Sequence, residues 1–195
     1  MQTLNELREY LKVEKQLYFK KDIKNKVLAN ITNDHLVKIW KYVKYMRISE
    51  YFYNNRKNIL YMILYLIYER RKNSLGNKLG FYICNNTLAK GVQIFHHGSI
   101  IINGYARIGE NCRLHGQNCI GNNGLTKSAP IIGKNVDIGV GAKVIGDIFI
   151  ADNVKIGAGA IVVKSCYTKG ATLCGVPARE VRKEDLNGEK ITCNN

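Results

Sequence analysis

Six aliphatic residues, Ile132, Ile138, Val144, Ile150, Ile156 and Val162, follow one another at a strict interval of six. A helix repeats near 3.6 residues and a strand at two, so neither turns a side chain inward once in six over so long a stretch. A triangular parallel β-helix does. Each hexapeptide forms one flat side of a coil, its aliphatic residue points at the axis, and three hexapeptides close a turn that stacks on the next. Gly133, Gly139 and Gly157 directly follow inward residues, where a tight corner would be crowded by a Cβ. The same step runs earlier through Ile102, Ile108, Leu114 and Ile120, with Gly109 and Gly121 in the same place, and before that through Leu88, Ile94 and Ile100. Two departures interrupt it: the offset between Ile100 and Ile102, and the stretch from Gly121 to Pro130. Departures from a regular scaffold are where function is usually mounted.

The expected organisation is an α-helical region over residues 1–80, a coil domain over 81–183 and a tail over 184–195. In the first part, Thr3 with Glu6 forms a capping-box pattern ahead of Leu4, Leu7, Leu11 and Tyr18. A second run opens at Asp34 with Leu36, Ile39, Trp40, Val43 and Met46. A third carries Ile59, Leu60, Ile63, Leu64 and Ile67 and ends at Gly76 and Gly80. These helices are expected to pack on each other and cap the open end of the solenoid, whose edge would otherwise present unpaired backbone groups.

The net charge of +15 is unevenly placed: residues 1–80 hold 17 Lys+Arg against 7 Asp+Glu, and residues 81–195 hold 13 against 8. No helix-turn-helix, zinc or aromatic RNA-binding signature accompanies it, so nucleic acid is not the expected partner. Anionic small substrates, or peripheral association with an anionic membrane surface, suit the charge better. The apolar stretch from Ile59 to Tyr68 is flanked by Arg56, Lys57 and residues 70–72, and is too short to span a bilayer, which needs about 20 residues. A buried helix is the expectation for it, with an interfacial helix as the alternative. The amino terminus has no secretory pattern, so the expected location is cytoplasmic. Cys84, Cys112, Cys119, Cys166, Cys174 and Cys193 show no metal or redox spacing, which predicts reduced thiols and no metal.

Chemistry concentrates at the first departure, FHHGS at 95–99. Two of the four histidines, His96 and His97, stand there; the others are His35 and His115. Histidine as a residue type can accept a proton from an alcohol near neutral pH, the minimum equipment for direct acyl transfer.

With these residues in view, the chain resembles hexapeptide acyltransferases. The likeness rests on the repeat, on H-x-G-x-I at 96–100, IGKNVDIGVGAKVIG at 132–146, IGAGAIVVK at 156–164 and GVPAR at 175–179. Within them it is most similar to serine acetyltransferases and to O-acetyltransferases of capsular and surface polysaccharides. The resemblance covers about residues 80–183. It implies a mainly β fold, a left-handed parallel β-helix with an α-helical N-terminal region. It implies a homotrimer, with pairing of trimers as a further possibility, and acetyl-CoA as co-substrate in a groove between neighbouring β-helices. His96 matches the family's general base, and His97 and His115 are candidates for its support. Positions matching coenzyme A contacts are Val140, Ala158, Val163, Lys164, Arg179 and Arg182. Gly139, Gly141, Ala142 and Gly159 are expected to let the ligand come close to the backbone. The oxyanion donor is expected to be a backbone amide, with the 121–124 turn as a candidate.

Departures from the serine enzymes bear on the acceptor. The acidic residue before their base is Phe95 here, the aspartate fifteen positions earlier falls on Phe81, and the histidine before their mid-chain proline becomes Ala129. Phe95 and Phe81 would offer an apolar wall suited to a sugar ring. Asn122 and Asn123, in a loop with Thr126, Lys127 and Ser128, would supply neutral hydrogen-bonding groups. The expected reaction is therefore acetyl transfer to a hydroxyl of a small-molecule or oligosaccharide acceptor in cell-surface polysaccharide synthesis. Serine O-acetylation for cysteine biosynthesis is the alternative, and a non-catalytic trimeric scaffold the second.

Overall fold

The structure, a computed structural model, describes residues 1–19 and 23–181, with the side chains of 23–26 excluded. Four helices come first: α1 (Leu4–Tyr18), α2 (Ile23–Ile31), α3 (His35–Asn54) and α4 (Ile59–Leu79). Short strands follow: β1 (Phe81–Ile83), β2 (Gln93–Ile94), β3 (Ile100–Ile102), β4 (Arg107–Ile108), β5 (Arg113–Leu114), β6 (Cys119–Gly121) and β7 (Ile131–Ile132). The remainder are β8 (Asp137–Ile138), β9 (Lys143–Ile145), β10 (Phe149–Ile150), β11 (Lys155–Ile156), β12 (Ile161–Val162), β13 (Thr172–Gly175) and β14 (Ala178–Val181).

The strands make the three sides of a prism. One side runs β1-β3-β6-β9-β12, the second β10-β7-β4, and the third β14-β13-β11-β8-β5-β2. All pairings along the prism are parallel except β13 with β14, an antiparallel hairpin that closes the far end with the GVPAR segment at its turn. The six residues of the repeat are at most 3% exposed and form one continuous core with Ile94, Ile102, Ile108, Leu114 and Ile120. Burying each such side chain contributes about 1.5–3 kcal/mol.

The register locates the departures. Ile102 lies opposite Ile120 and Val144 opposite Val162, but Ile120 lies opposite Val144, six residues further along than one regular coil. The loop at 121–130 is therefore one inserted hexapeptide length. Ile94 lies opposite Leu114, two residues beyond a coil, so the FHHGS segment carries a two-residue insertion. Ile100 and Ile102 are both fully buried on β3 and pair with Phe81 and Ile83, which explains the double register there.

The glycines after inward residues answer to a different constraint from the one expected. Gly139 is not left-handed; a Cβ on it would sit 2.7 Å from the Ala158 nitrogen of the next coil. Coil stacking, rather than turn conformation, excludes a side chain. Left-handed corners fall instead on residues such as Asn111, Asn135 and Asn153, a type that tolerates this region.

The helices cap the first coil through side chains. The Thr3–Glu6 capping box opens α1, and Asp34 caps α3 by accepting from the Leu36 amide at 2.7 Å. Arg47, buried between Glu14 and Glu50, donates to the carbonyls of Leu88 and Ala89 at 2.7 and 2.8 Å. Glu50 accepts from the Asn86 amide, Glu14 from the Gly91 amide, and the Tyr18 hydroxyl from the Ile94 amide. The coil edge is thus paired without a further strand. No buried side-chain nitrogen or oxygen among the described residues lacks a partner.

Three further expectations are corrected, and one helix is added to the helical region. The helix α2 between the first two runs was not anticipated. Gly76 lies inside α4, where a Cβ would meet the Phe81 carbonyl, and only Gly80 ends the helix. Phe81 is buried against Tyr42 beneath the helices, ring centroids 5.1 Å apart, and so forms no wall for an acceptor. The apolar run from Ile59 is not buried: Ile59, Leu60, Ile63, Leu66 and Ile67 are all exposed on α4.

Candidate active site

Every segment leading from the third side to the first stacks at one corner of the prism. In order, these are 95–99, 115–118, 139–142 and 157–160. His96 and His115 therefore occupy successive coils at the same corner: a Cβ on Gly116 would come within 3.4 Å of the His96 Cβ. The FHHGS bulge is tied down from below, with the Gly98 amide donating to the Leu79 carbonyl and the Ile100 amide to Gly80, each at 2.9 Å. Gly80 and Gly98 meet back to back, which leaves no room for a side chain on Gly80.

His96, His115, Asp137, Gly139, Val140 and Ala158 line a cleft of about 560 Å³, with Lys155 and Thr172 on its side. His115 Nε2 lies 2.7 Å from Asp137 Oδ1, and the other carboxylate oxygen takes Arg113 Nη2 at 3.2 Å. Phe95 stacks on the His115 ring, centroids 4.6 Å apart and planes 7° from parallel. An imidazole with a carboxylate on one nitrogen and an aromatic ring on its face is held in one orientation. His35, the first residue of α3, brings its ring over His96 at 5.8 Å and edge-on to His97 at 6.0 Å. The helical part thus contributes to the site.

Of the residues expected from the sequence, the structure gathers His96, His115, Val140 and Ala158 in the cleft, with Phe95 behind His115 and His97 beside His35. Val163 and Lys164 do not join them. They follow β12 at the next corner of the prism, the corner that also carries the 121–130 loop with its candidate oxyanion turn. Asn122 donates to the Thr126 carbonyl, and Asn123 accepts from the Leu125 amide, so these side chains brace their own loop. Ala142 faces the axis, fully buried, and does not line the groove. Arg179 is exposed on β14, while Arg182 and the 184–195 tail lie outside the described residues.

Asp137, Arg113 and His35 were not anticipated. Asp137 lies opposite Arg113 across one coil that includes the inserted loop, so placing it beside His115 requires the coil register. No group of three His, Cys, Asp or Glu among the described residues is arranged to hold a metal ion. Cys84, Cys112, Cys119, Cys166 and Cys174 are free thiols. No described helix is long and apolar enough to cross a membrane.

No protein-family model matches the chain. It is similar to the serine acetyltransferase of Synechococcus elongatus, 34% identical over 106 residues that make up 53% of this chain and 43% of that protein. The chain therefore spans less than half the length of this curated relative. Its fold is similar to that of Neisseria gonorrhoeae serine acetyltransferase in complex with serine, with a TM-score of 0.66, 22% identity, and coverage of 90% of this chain and 69% of that one. A serine acetyltransferase in complex with CoA aligns with a TM-score of 0.60 and 25% identity, over 74% of this chain and 57% of that one. The fold is thus the left-handed hexapeptide β-helix with a helical N-terminal region that these enzymes share.

Proposed function

We propose that this chain is an acetyl-CoA-dependent O-acetyltransferase with His96 as its general base. The observation that carries the reading is the cleft itself, in which His96 stands over a stack of corners built from Gly139, Val140, Gly157 and Ala158. Such small residues let an extended thioester arm lie against the backbone, and the likeness to a CoA-bound relative supports that occupant. His96 would take the proton of the acceptor hydroxyl as its oxygen attacks the thioester carbonyl. The carbon–sulfur bond then breaks, and the proton passes to the departing thiolate, giving the acetyl ester and free CoA. Neither a metal nor an acyl-enzyme is required for that balance.

The relatives favour L-serine as acceptor, and none of them supports polysaccharide acetylation. A sugar hydroxyl stays as the second reading on one observation: His115, backed by the Phe95 ring, lines the cleft beside His96, where a sugar face could pack. Two groups of expected CoA contacts stand at different corners of one prism, Val140 and Ala158 at one and Val163 and Lys164 at the next. A closed trimer can bring unlike corners of neighbouring subunits together, which supports a site completed between copies. The free thiols support a reducing, cytoplasmic setting.

The test is release of free thiol from acetyl-CoA with L-serine and with mono-, oligo- and nucleotide sugars in parallel. Serine-dependent release is the expected result; sugar-dependent release alone would transfer the assignment to the second reading. His96→Ala should lower turnover by about 10²–10⁴-fold while CoA still binds. His115→Ala should retain more activity than that. The reverse order would make His115, held by Asp137, the base, and full turnover in both variants would overturn the site.

A further inference from the structure

The exposed apolar run on α4 continues directly into a basic one. By helical period Ile59, Ile63, Leu66 and Ile67 share a face with Arg70, Arg71 and Lys78. Ile59 is 75% exposed and Leu66 57%. The opposite face is fastened to α3 by rings: Phe52 with Tyr61 at 5.3 Å, Phe52 with Tyr68 at 5.9 Å, and Tyr53 with Tyr65 at 5.4 Å. Where the stripe turns basic, Lys41 and Tyr45 of α3 join Ile67, Arg70, Arg71 and Lys78 around a groove of about 420 Å³.

Among the described residues no carboxylate answers these cations. The acids of α3 and α4 are Glu50 and Glu69; Glu50 is buried with Arg47, and Glu69 holds Lys72 at 2.7 Å. Among the described residues none pairs with Lys41, Arg70, Arg71 or Lys78 through a carboxylate. A second copy of α4 laid on the stripe would bring the same arginines and lysines with no acid to meet them. An anionic lipid surface offers both complements at once, acyl chains to the isoleucines and leucines and headgroup phosphates to the cations.

We propose that the outer face of α4 docks this protein on anionic phospholipid membranes, with Ile59, Ile63, Leu66 and Ile67 entering the acyl boundary and Lys41, Arg70, Arg71 and Lys78 meeting headgroups. Tyr45, which lines the groove, suits the headgroup layer.

The experiment is co-sedimentation of the full chain with vesicles of phosphatidylcholine alone and of phosphatidylcholine mixed with phosphatidylglycerol. Binding to the mixed vesicles that salt weakens, and little to the neutral ones, is the expected result. Arg70→Gln with Arg71→Gln should lower partition to mixed vesicles by about 25-fold, and Ile63→Ser with Leu66→Ser should lower it as well, with helical content by circular dichroism unchanged. Both substitutions are at exposed positions, so the charge pair reports even where the apolar pair unfolds. Equal binding to both vesicle types, or undiminished binding by the charge variant, overturns the proposal. So does light scattering in which the apolar variant breaks a larger assembly while vesicle binding is untouched, which would assign the stripe to a second copy.

Discussion

Arg47 has no access to solvent and yet carries a charge, because everything around it is arranged to receive one. Its guanidinium donates to Glu14, Glu50 and two carbonyls of the first coil. Burial alone would favour loss of its proton, but Glu50 and Glu14 more than offset that and raise its pKa above the ordinary arginine range. Replacing Arg47 by Met would leave two buried carboxylates facing each other and two carbonyls unpaired. We expect a loss of about 3–5 kcal/mol, read as a lower urea midpoint with an unchanged slope. Cys112 shows the opposite treatment of a titratable group. Burial pushes its thiol up to about 11, so it stays protonated at neutral pH and makes a poor nucleophile. Mass spectrometry after brief alkylation of the native protein should find Cys112 unmodified and, after unfolding, fully modified.

Among the elements, α4 owes part of its attachment to Glu69, which holds Lys72, accepts from Ser49 and Asn85, and thereby links α3, α4 and the segment after β1. Burial is the largest single influence and would raise the Glu69 pKa, but the bonds from Lys72, Ser49 and Asn85 together hold it below its ordinary 4.5. A carboxyl depressed in the folded state adds stability above its unfolded pKa, and that contribution disappears as pH falls through the lower, folded value. The melting temperature should therefore drop as the solution is acidified below pH 4.5, and Glu69→Gln should flatten that part of the profile. Coils depend on close stacking instead. Gly139→Ala places a methyl 2.7 Å from the Ala158 nitrogen, and we expect about 1–3 kcal/mol of destabilisation by denaturant titration.

At the scale of the whole molecule, the two corners make a prediction of their own. If His96 of one subunit works with Lys164 of its neighbour, neither His96→Ala nor Lys164→Ala is active alone, yet randomly mixed trimers of the two recover about a quarter of wild-type activity. No recovery on mixing would return the site to a single chain. Much of the architecture behind this was legible in the residues. The hexapeptide step named the prism, its aliphatic side chains and both departures, because an inward position in a solenoid is fixed by local spacing alone. The Thr3–Glu6 cap was readable for the same reason, since its partners lie three residues apart. The slip of that spacing marked His96 and His97 together, and the resemblance to hexapeptide acyltransferases chose His96 between them.

The sequence by itself determined which residues turn inward and where the coil is interrupted, since those follow from the repeat of one chain segment. Tertiary structure alone decided what meets across coils and between helix and prism. It set His115 against Asp137, laid His35 over His96 and left the apolar face of α4 uncovered. Those relations depend on the summed lengths of insertions and on how a helix rotates against its neighbours. Hydrophobicity shows that a side chain favours burial, while only the packed chain determines whether anything is there to bury it.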